Sequence, residues 1–477
     1  MDESYVRDFA AKRRGLVVAA AGCGKTELIA RAAGLPGTGR QLILTHTHAG
    51  VRALRDRLIR KHRVPPKRFR VETVAAFAHR LARAYPAISG CDSAELLTHE
   101  DFTATYDACL RVVLNRHVHD VLSVSYAGLF VDEYQDCTQR QHNLVLGLAE
   151  ILPCRVVGDP LQGIFFFTKN DPLPEWHTEV IPEFDSMPPL MQPYRWKTTN
   201  PRLGQWLTDM RTELEAGRPV DLRHDAVQWV QTRHNGSAAQ SLSVCKSKLG
   251  LPAVETVAAI HTIDNKAHYI AKNLRGAYQS MEEVDSRALK KLCASVDSLR
   301  GAHRVGRVLS AACKCMTSPP GRIRRLAAAL MEGRLPRRGK VLAECRDIIE
   351  CARTAADGDG LAFVADMLAG ILSLPDVTLF RRELYADIER TCRAHDGNPD
   401  EPLTATAGRI RNRRSMFGTR LPRRVITRTL LVKGLEFDHV VILDADGIQD
   451  RKNLYVALTR GSRSLTVLSS EPTVLAD

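Results

Sequence analysis

Lys25 and Thr26 close the run AAAGCGKT, Ala19–Thr26, which lies between a short apolar stretch and a helix-forming one. This is the composition of a loop that wraps phosphates. Gly22 and Gly24 let the main chain turn tightly, and the loop ends where free N–H groups and a helix dipole meet negative charge. The backbone of Ala21, Gly22, Cys23 and Gly24 would then line the phosphates. Lys25 would reach the β- and γ-phosphates, and the Thr26 hydroxyl would coordinate Mg²⁺. Ala19 stands where the general pattern has its first glycine. A second element, LFVDEYQD at Leu129–Asp136, is an apolar strand running into acid. Such a strand delivers Asp132 and Glu133 at its C-terminal end, where ligands bind in parallel sheets. Asp132 is the expected partner of Thr26 on Mg²⁺, and Glu133 the base or positioning group for an attacking water. A glycine turn or an acidic loop is commonplace alone; in this order and at this distance the two describe a site that cleaves a nucleoside triphosphate.

Holding those groups together requires strands alternating with helices. The pattern predicts a strand at Leu16–Ala19, a helix from Thr26 to Ala33 stopped by Gly34 and Pro36, a strand at Gln41–Thr45 and an amphipathic helix at Val51–Lys61. Further buried strands are predicted at Gly128–Val131, Cys154–Val157, Val257–Ile260, Val440–Leu443 and Leu465–Leu468, with a helix at Asn265–Leu274. Apolar strands alternating with helices indicate α/β lobes whose parallel sheets are covered on both faces. Two stretches break the alternation: a helical one between Pro86 and Ser125, and an Ala-, Leu- and Arg-rich one from Arg275 to Ala405. The expected division is a first lobe at 1–86 and 126–188 interrupted by a short helical insertion at 87–125, then a second lobe at 189–274 and 406–477 interrupted by a helical insertion at 275–405.

The 477 residues are 44% hydrophobic and 26% charged, the balance of an ordinary globular chain. No apolar run approaches the roughly 18 residues of a membrane span, and the first residues lack a signal-peptide core, so the expected location is cytoplasmic, with no membrane partner. Lys and Arg exceed Asp and Glu by 68 to 54, a formal charge of +14 that favours a polyanionic partner. Twelve cysteines in such a chain are expected to be reduced packing residues.

Other segments fall in a telling order: LTHTHAGVRALRDRL at Leu44–Leu58, VETVAAFAHRL at Val71–Leu81, VGDPLQGIF at Val157–Phe165, LMQPYRW at Leu190–Trp196, VKGLEFD at Val432–Asp438 and YVALTR at Tyr455–Arg460. Together with DEYQD they resemble the UvrD/Rep/PcrA-like superfamily 1 DNA helicases, through nearly all of both lobes. The resemblance implies two RecA-like P-loop NTPase lobes with parallel sheets, each carrying a helical insertion, and ATP with Mg²⁺ between them. It implies that Gln162 senses the γ-phosphate, that Tyr194 stacks on adenine, that Arg195 contacts the γ-phosphate, and that Gly434 and Glu436 contact the nucleotide. Arg460 corresponds to the family's arginine finger. Thr45, Arg52, Phe77, Phe165 and Phe167 fall in the segments that meet single-stranded or partly duplex DNA, and the implied direction of movement is 3′ to 5′.

Departures gather on the DNA side. His48 and Ala49 replace the family's Asn-Lys, Ala75 and Leu430 replace histidines, Thr168 replaces an arginine, and no counterpart of the adenine-reading Gln precedes the loop. Aromatic stacking on bases is worth about 1–3 kcal/mol each and tolerates any sequence; Phe77, Phe165, Phe167 and Trp176 are the candidates. Basic stretches at Arg60–Arg70, Arg322–Lys340 and Arg409–Arg428, the last with eight arginines, could hold phosphates or dock a protein. Compact UvrD-like proteins of this size occur in anti-phage operons, such as the helicase subunit of Gabija. The expected activity is therefore ATP hydrolysis coupled to movement on DNA. The alternative is a nucleotide-responsive subunit that recruits or activates a nuclease or other defence-complex partner.

Overall fold

The computed structural model describes residues 1–90, 102–164, 170–233, 237–281, 287–335, 345–358, 360–395, 401–417 and 421–474, with the backbone alone at 102 and 411–417. The first sheet comprises β1 (Arg14–Val18), β2 (Gln41–Thr45), β3 (Phe69–Thr73), β4 (Gly128–Asp132), β5 (Cys154–Gly158) and β6 (Asp185–Ser186). Its order is β3-β2-β4-β5-β1-β6, and every pairing is parallel. Every residue of β2, β4 and β5 is buried, because helices cover both faces. Successive side chains enter opposite layers: Leu129 and Val131 pack with Leu144 and Leu148, while Phe130 packs with Phe9, Leu28 and Ile29. With β5 between β1 and β4, the loops leaving the C-terminal ends of these three strands emerge side by side.

The second sheet comprises β8 (Val227–Gln231), β9 (Val257–Ile260), β10 (Gln279–Ser280), β11 (Arg424–Thr427), β12 (Phe437–Ile442) and β13 (Gly461–Ser469). Its order is β10-β11-β9-β12-β13-β8, again parallel throughout. A small antiparallel pair joins β7 (Val220–Asp221) to β14 (Thr473–Val474). These are two RecA-like α/β lobes.

The helices between Phe102 and Ser125 share the first lobe's core, contributing Tyr106, Val112, Val118 and Leu122. The larger insertion has a core of its own, built on Leu289, Val308, Leu309, Val364, Leu368 and Ile388. Its last helix, Leu403–Phe417, returns against Arg287–Asp297, where the Asp297 carboxylate accepts the Leu403 N–H at 2.7 Å.

Element boundaries differ from expectation where sequence pattern and pairing part company. The helix after Thr47 is α-helical only over His48–Asp56 and then widens into a π turn at Arg57–Lys61. Leu190 bridges Ala19, and the Arg195 N–H donates to the Gly22 carbonyl, so the chain from 189 to 195 still lies along the first sheet. β10 belongs to the second sheet and Phe380 packs beneath it, so the insertion begins later than 275 and touches the sheet midway. It also runs past 405, because Leu403–Phe417 is one helix.

Leu309 is fully buried in the insertion core. Leu309→Ala should cost about 2–5 kcal/mol, read by calorimetry as an earlier unfolding transition. An unchanged transition would contradict the packing described.

Candidate functional site

The phosphate loop leaves β1 and enters the helix Lys25–Gly34, with Gly24 as its N-cap. Gly22 and Gly24 have φ of 70° and 94°, the left-handed region that glycine alone enters freely. Space forbids a side chain as well: a Cβ on Gly22 would lie 2.6 Å from Cζ3 of Trp196. Trp196 is held there by its own Nε1–H, which donates to the Gly461 carbonyl at 2.7 Å. The buried Lys25 ammonium donates to the Ala19 carbonyl at 3.3 Å and lies 4.0 Å from Glu133 Oε2. Cys23 is buried, and that burial pushes its thiol up to about 12, so only its main chain can serve a ligand.

Asp132 ends β4, and the Thr26 hydroxyl donates to its Oδ2 at 3.4 Å. The next residue, Glu133, turns the chain with φ of 55°, a left-handed conformation rare for a side chain of this size. Its carboxylate accepts from Gln135 Nε2 at 2.6 Å. Burial, with the Glu133 charge beside it, raises the Asp132 pKa. Glu133 is itself opposed by burial, but Lys25, the Gln135 hydrogen bond, Lys433 and Arg460 bring its pKa below the ordinary value and keep it ionised. A hydroxyl and a carboxylate in contact at the foot of the loop form the hard-oxygen donor pair that Mg²⁺ takes.

Gln162 of the first lobe and residues of the second close the other wall. Gln162, after β5, donates Nε2–H to Asp159 Oδ2 at 2.8 Å and accepts at Oε1 from Arg460 at 3.2 Å. Arg195 pairs with Glu436 at 2.9 Å and donates to the Thr459 carbonyl at 2.7 Å. The Lys433 ammonium reaches the Asp136 carboxylate and the Gln162 carbonyl. Burial and the neighbouring Arg195 lower Arg460 to about 10, which leaves it cationic at neutral pH. Between the walls lies a 610 Å³ cleft lined by Ala21, Gly22, Gly24, Lys25, Thr26, Glu133, Gln162, Tyr194, Arg195, Gly434, Glu436 and Arg460. The volume is that of a small-molecule site, roughly 300–1,000 Å³. The Met1 amine donates to the Tyr194 hydroxyl at 2.6 Å at one end of it.

The residues expected to face DNA are not gathered in the same way. Arg52 is exposed on the helix His48–Asp56. Thr45 is buried at the end of β2. Phe77 is 0% exposed, packed in the first-lobe core with Arg80 across its ring, so it cannot stack on a base. Trp176 is likewise buried, edge-on to Tyr134. Phe165 and Phe167 lie outside the described residues. The site also uses residues not singled out from sequence: Gln135, Asp136, Asp159, Lys433, Tyr455 and Arg211. The first five sit inside the motifs that carry the resemblance, whereas Arg211 sits in none.

Residues 2–168 match the family described as the AAA domain, a domain found in UvrD/Rep-like superfamily 1 helicases. The first lobe is thus a P-loop NTPase domain of helicase type. No curated protein matches the chain. Among the described residues, no helix is long and apolar enough to cross a membrane.

Gly22→Ala adds a methyl group that both the local φ and Trp196 refuse. Equilibrium binding of a fluorescent ATP analogue should fall at least about tenfold, the equivalent of about 1.4 kcal/mol. Wild-type affinity would mean the loop does not hold the phosphates.

Proposed function

We propose that this protein is an ATP-driven motor of UvrD-like type that moves 3′ to 5′ on single-stranded or partly duplex DNA in the cytoplasm. The observation that carries the reading is the convergence on one cleft of Lys25 and Glu133 from the first lobe with Glu436 and Arg460 from the second. Lys25 would hold the β- and γ-phosphates, and the backbone from Ala21 to Gly24 would cradle them. Glu133, held ionised, would take the proton of the attacking water, which Gln162 helps place. Arg195 and Arg460 would neutralise the charge that develops on the transferred phosphoryl group, an effect worth roughly 10³ to 10⁵ in rate where it has been measured. Tyr194 would face the base, with Gly434 and Glu436 on the sugar side. Thr26 and Asp132 would hold Mg²⁺, whose charge stabilises the phosphates. Because the cations come from both lobes, closure of the cleft and cleavage are coupled, and the two lobes can grip a strand differently before and after.

A second reading has one structural observation in its favour. Phe77, in a segment that resembles a DNA-contacting motif, is committed to the core. A chain that hydrolyses ATP yet grips DNA weakly would act as a nucleotide-responsive subunit, recruiting or activating a nuclease partner in an antiviral defence complex.

ATP hydrolysis with and without single-stranded DNA, titrated with salt, separates the two. A motor predicts strong stimulation whose log–log salt slope steepens by about 0.7 per phosphate contact. Indifference to DNA would overturn the motor reading and favour the subunit. In the same assay Glu133→Ala should abolish turnover while ATP still binds, and turnover retained by this variant would show that Glu133 is not the group that takes the proton of the attacking water.

A further inference from the structure

Behind the cleft, the two lobes are joined by a buried polar cluster centred on Arg211. This residue lies in the helix Pro201–Glu215 and is 1% exposed. Its NH1 donates to Asp159 Oδ1 at 2.8 Å and to the Tyr455 hydroxyl at 2.9 Å. Its NH2 pairs with Glu215 one turn along at 2.9 Å, and its guanidinium carbon stands 5.2 Å from the centre of the Tyr455 ring. Asp159 is 0% exposed and Tyr455 is 2% exposed. None of the three lines the nucleotide cleft.

Each partner of Arg211 has a second duty that does face the cleft. The other oxygen of Asp159 accepts from Gln162 Nε2. The Tyr455 hydroxyl accepts the N–H of Ala21 in the phosphate loop at 2.9 Å. Tyr455 also begins the helical turn that carries Arg460, whose Nε donates to the Val456 carbonyl at 2.8 Å. One guanidinium therefore spans the phosphate loop and Gln162 on the first lobe and the Arg460 turn on the second. Asp159, Tyr455 and Glu215 hold it charged against the burial that opposes this. Without the guanidinium, Asp159 would be a buried carboxylate lacking its counter-charge, and it would be drawn toward other donors, Gln162 among them.

We propose that Arg211 is a positioning residue of the hydrolytic site, setting the spacing of the phosphate loop, Gln162 and Arg460 through Asp159 and Tyr455. The proposal rests on the reading that this cleft hydrolyses a nucleoside triphosphate. It does not depend on whether DNA is the track.

The test uses the full chain with Tyr455→Phe, Arg211→Lys and Arg211→Met, and reads kcat and KM for ATP beside equilibrium binding of a fluorescent ATP analogue. Tyr455→Phe removes one hydroxyl and keeps the packed ring, so kcat should fall about 3- to 10-fold, the worth of a single hydrogen bond, with KM and analogue affinity within about twofold. Arg211→Met should lose at least about 100-fold in kcat. Arg211→Lys should fall between the two, since an ammonium can serve Asp159 but cannot fork to Tyr455 as well. Wild-type kcat in both Tyr455→Phe and Arg211→Lys would overturn the proposal. So would a parallel loss of kcat, analogue affinity and melting temperature in these two mild variants, which would make the cluster merely structural. Should Arg211→Met fail to fold, those two variants still decide the matter. Wild-type hydrolysis indifferent to DNA would sink the motor reading and leave this test standing, because it needs only basal turnover.

Discussion

Cations from two lobes have to be held close together in one cleft without driving the lobes apart. Lys25, Arg195, Lys433 and Arg460 all point toward the space between the sheets, and each is met by an acid or a carbonyl: Glu133, Glu436, Asp136 and the helix turn before Arg460. Like charges crowded into one cleft repel, by about 4 kcal/mol for a pair about 4 Å apart at the effective dielectric of a protein surface, about 20. The compensation is specific and lobe-crossing: Lys433 of the second lobe answers Asp136 of the first, and Arg211 answers Asp159. The acidic DEYQD segment thus serves the interface as well as the chemistry. Burial raises Asp136 to about 7 even with Lys433 beside it.

Much of this is legible in the chain because the strongest physical demands leave the strongest patterns. Strands buried on both faces are near-continuous apolar runs, and Gln41–Thr45 and Val257–Ile260 keep the boundaries that their sequence predicts. A loop that wraps phosphates must have glycine where φ is positive, and it does at Gly22 and Gly24. Strands that carry charged residues leave weaker traces. β3 alternates buried with half-exposed positions and carries Arg70 and Glu72, while β11 opens on an arginine in a basic run. Neither reads as a strand until a neighbour supplies the pairing.

Two site-level failures have different causes. The motif around Phe77 points to a DNA contact. Yet Val74, Phe77, Ala78 and Leu81 repeat at helical spacing on one face, and that face is the core. The signal is present in the sequence, and the motif outweighs it. Arg211 leaves no signal. It lies on a helix whose sequence shows only an ordinary charged residue, and its importance arises from Asp159 and Tyr455, which are 52 and 244 residues away along the chain. A contact of that kind is a property of how the lobes dock.

The docking also constrains how the lobes can move. Arg195–Glu436, at the cleft mouth, is partly exposed on both sides, and a pair of that sort is worth about 1 kcal/mol or less. Arg211–Asp159, behind the cleft, is sealed from water, and separating such a pair leaves a buried charge at a cost of about 3–5 kcal/mol. A motion that translates one lobe away from the other has to break both. A rotation about the Arg211 cluster spares the sealed pair and leaves the phosphate loop hydrogen-bonded to Tyr455, while Arg195–Glu436, Lys433–Asp136 and Arg460–Gln162 have to give way. Of the two, the rotation is the cheaper, because it leaves the Arg211–Asp159 pair intact.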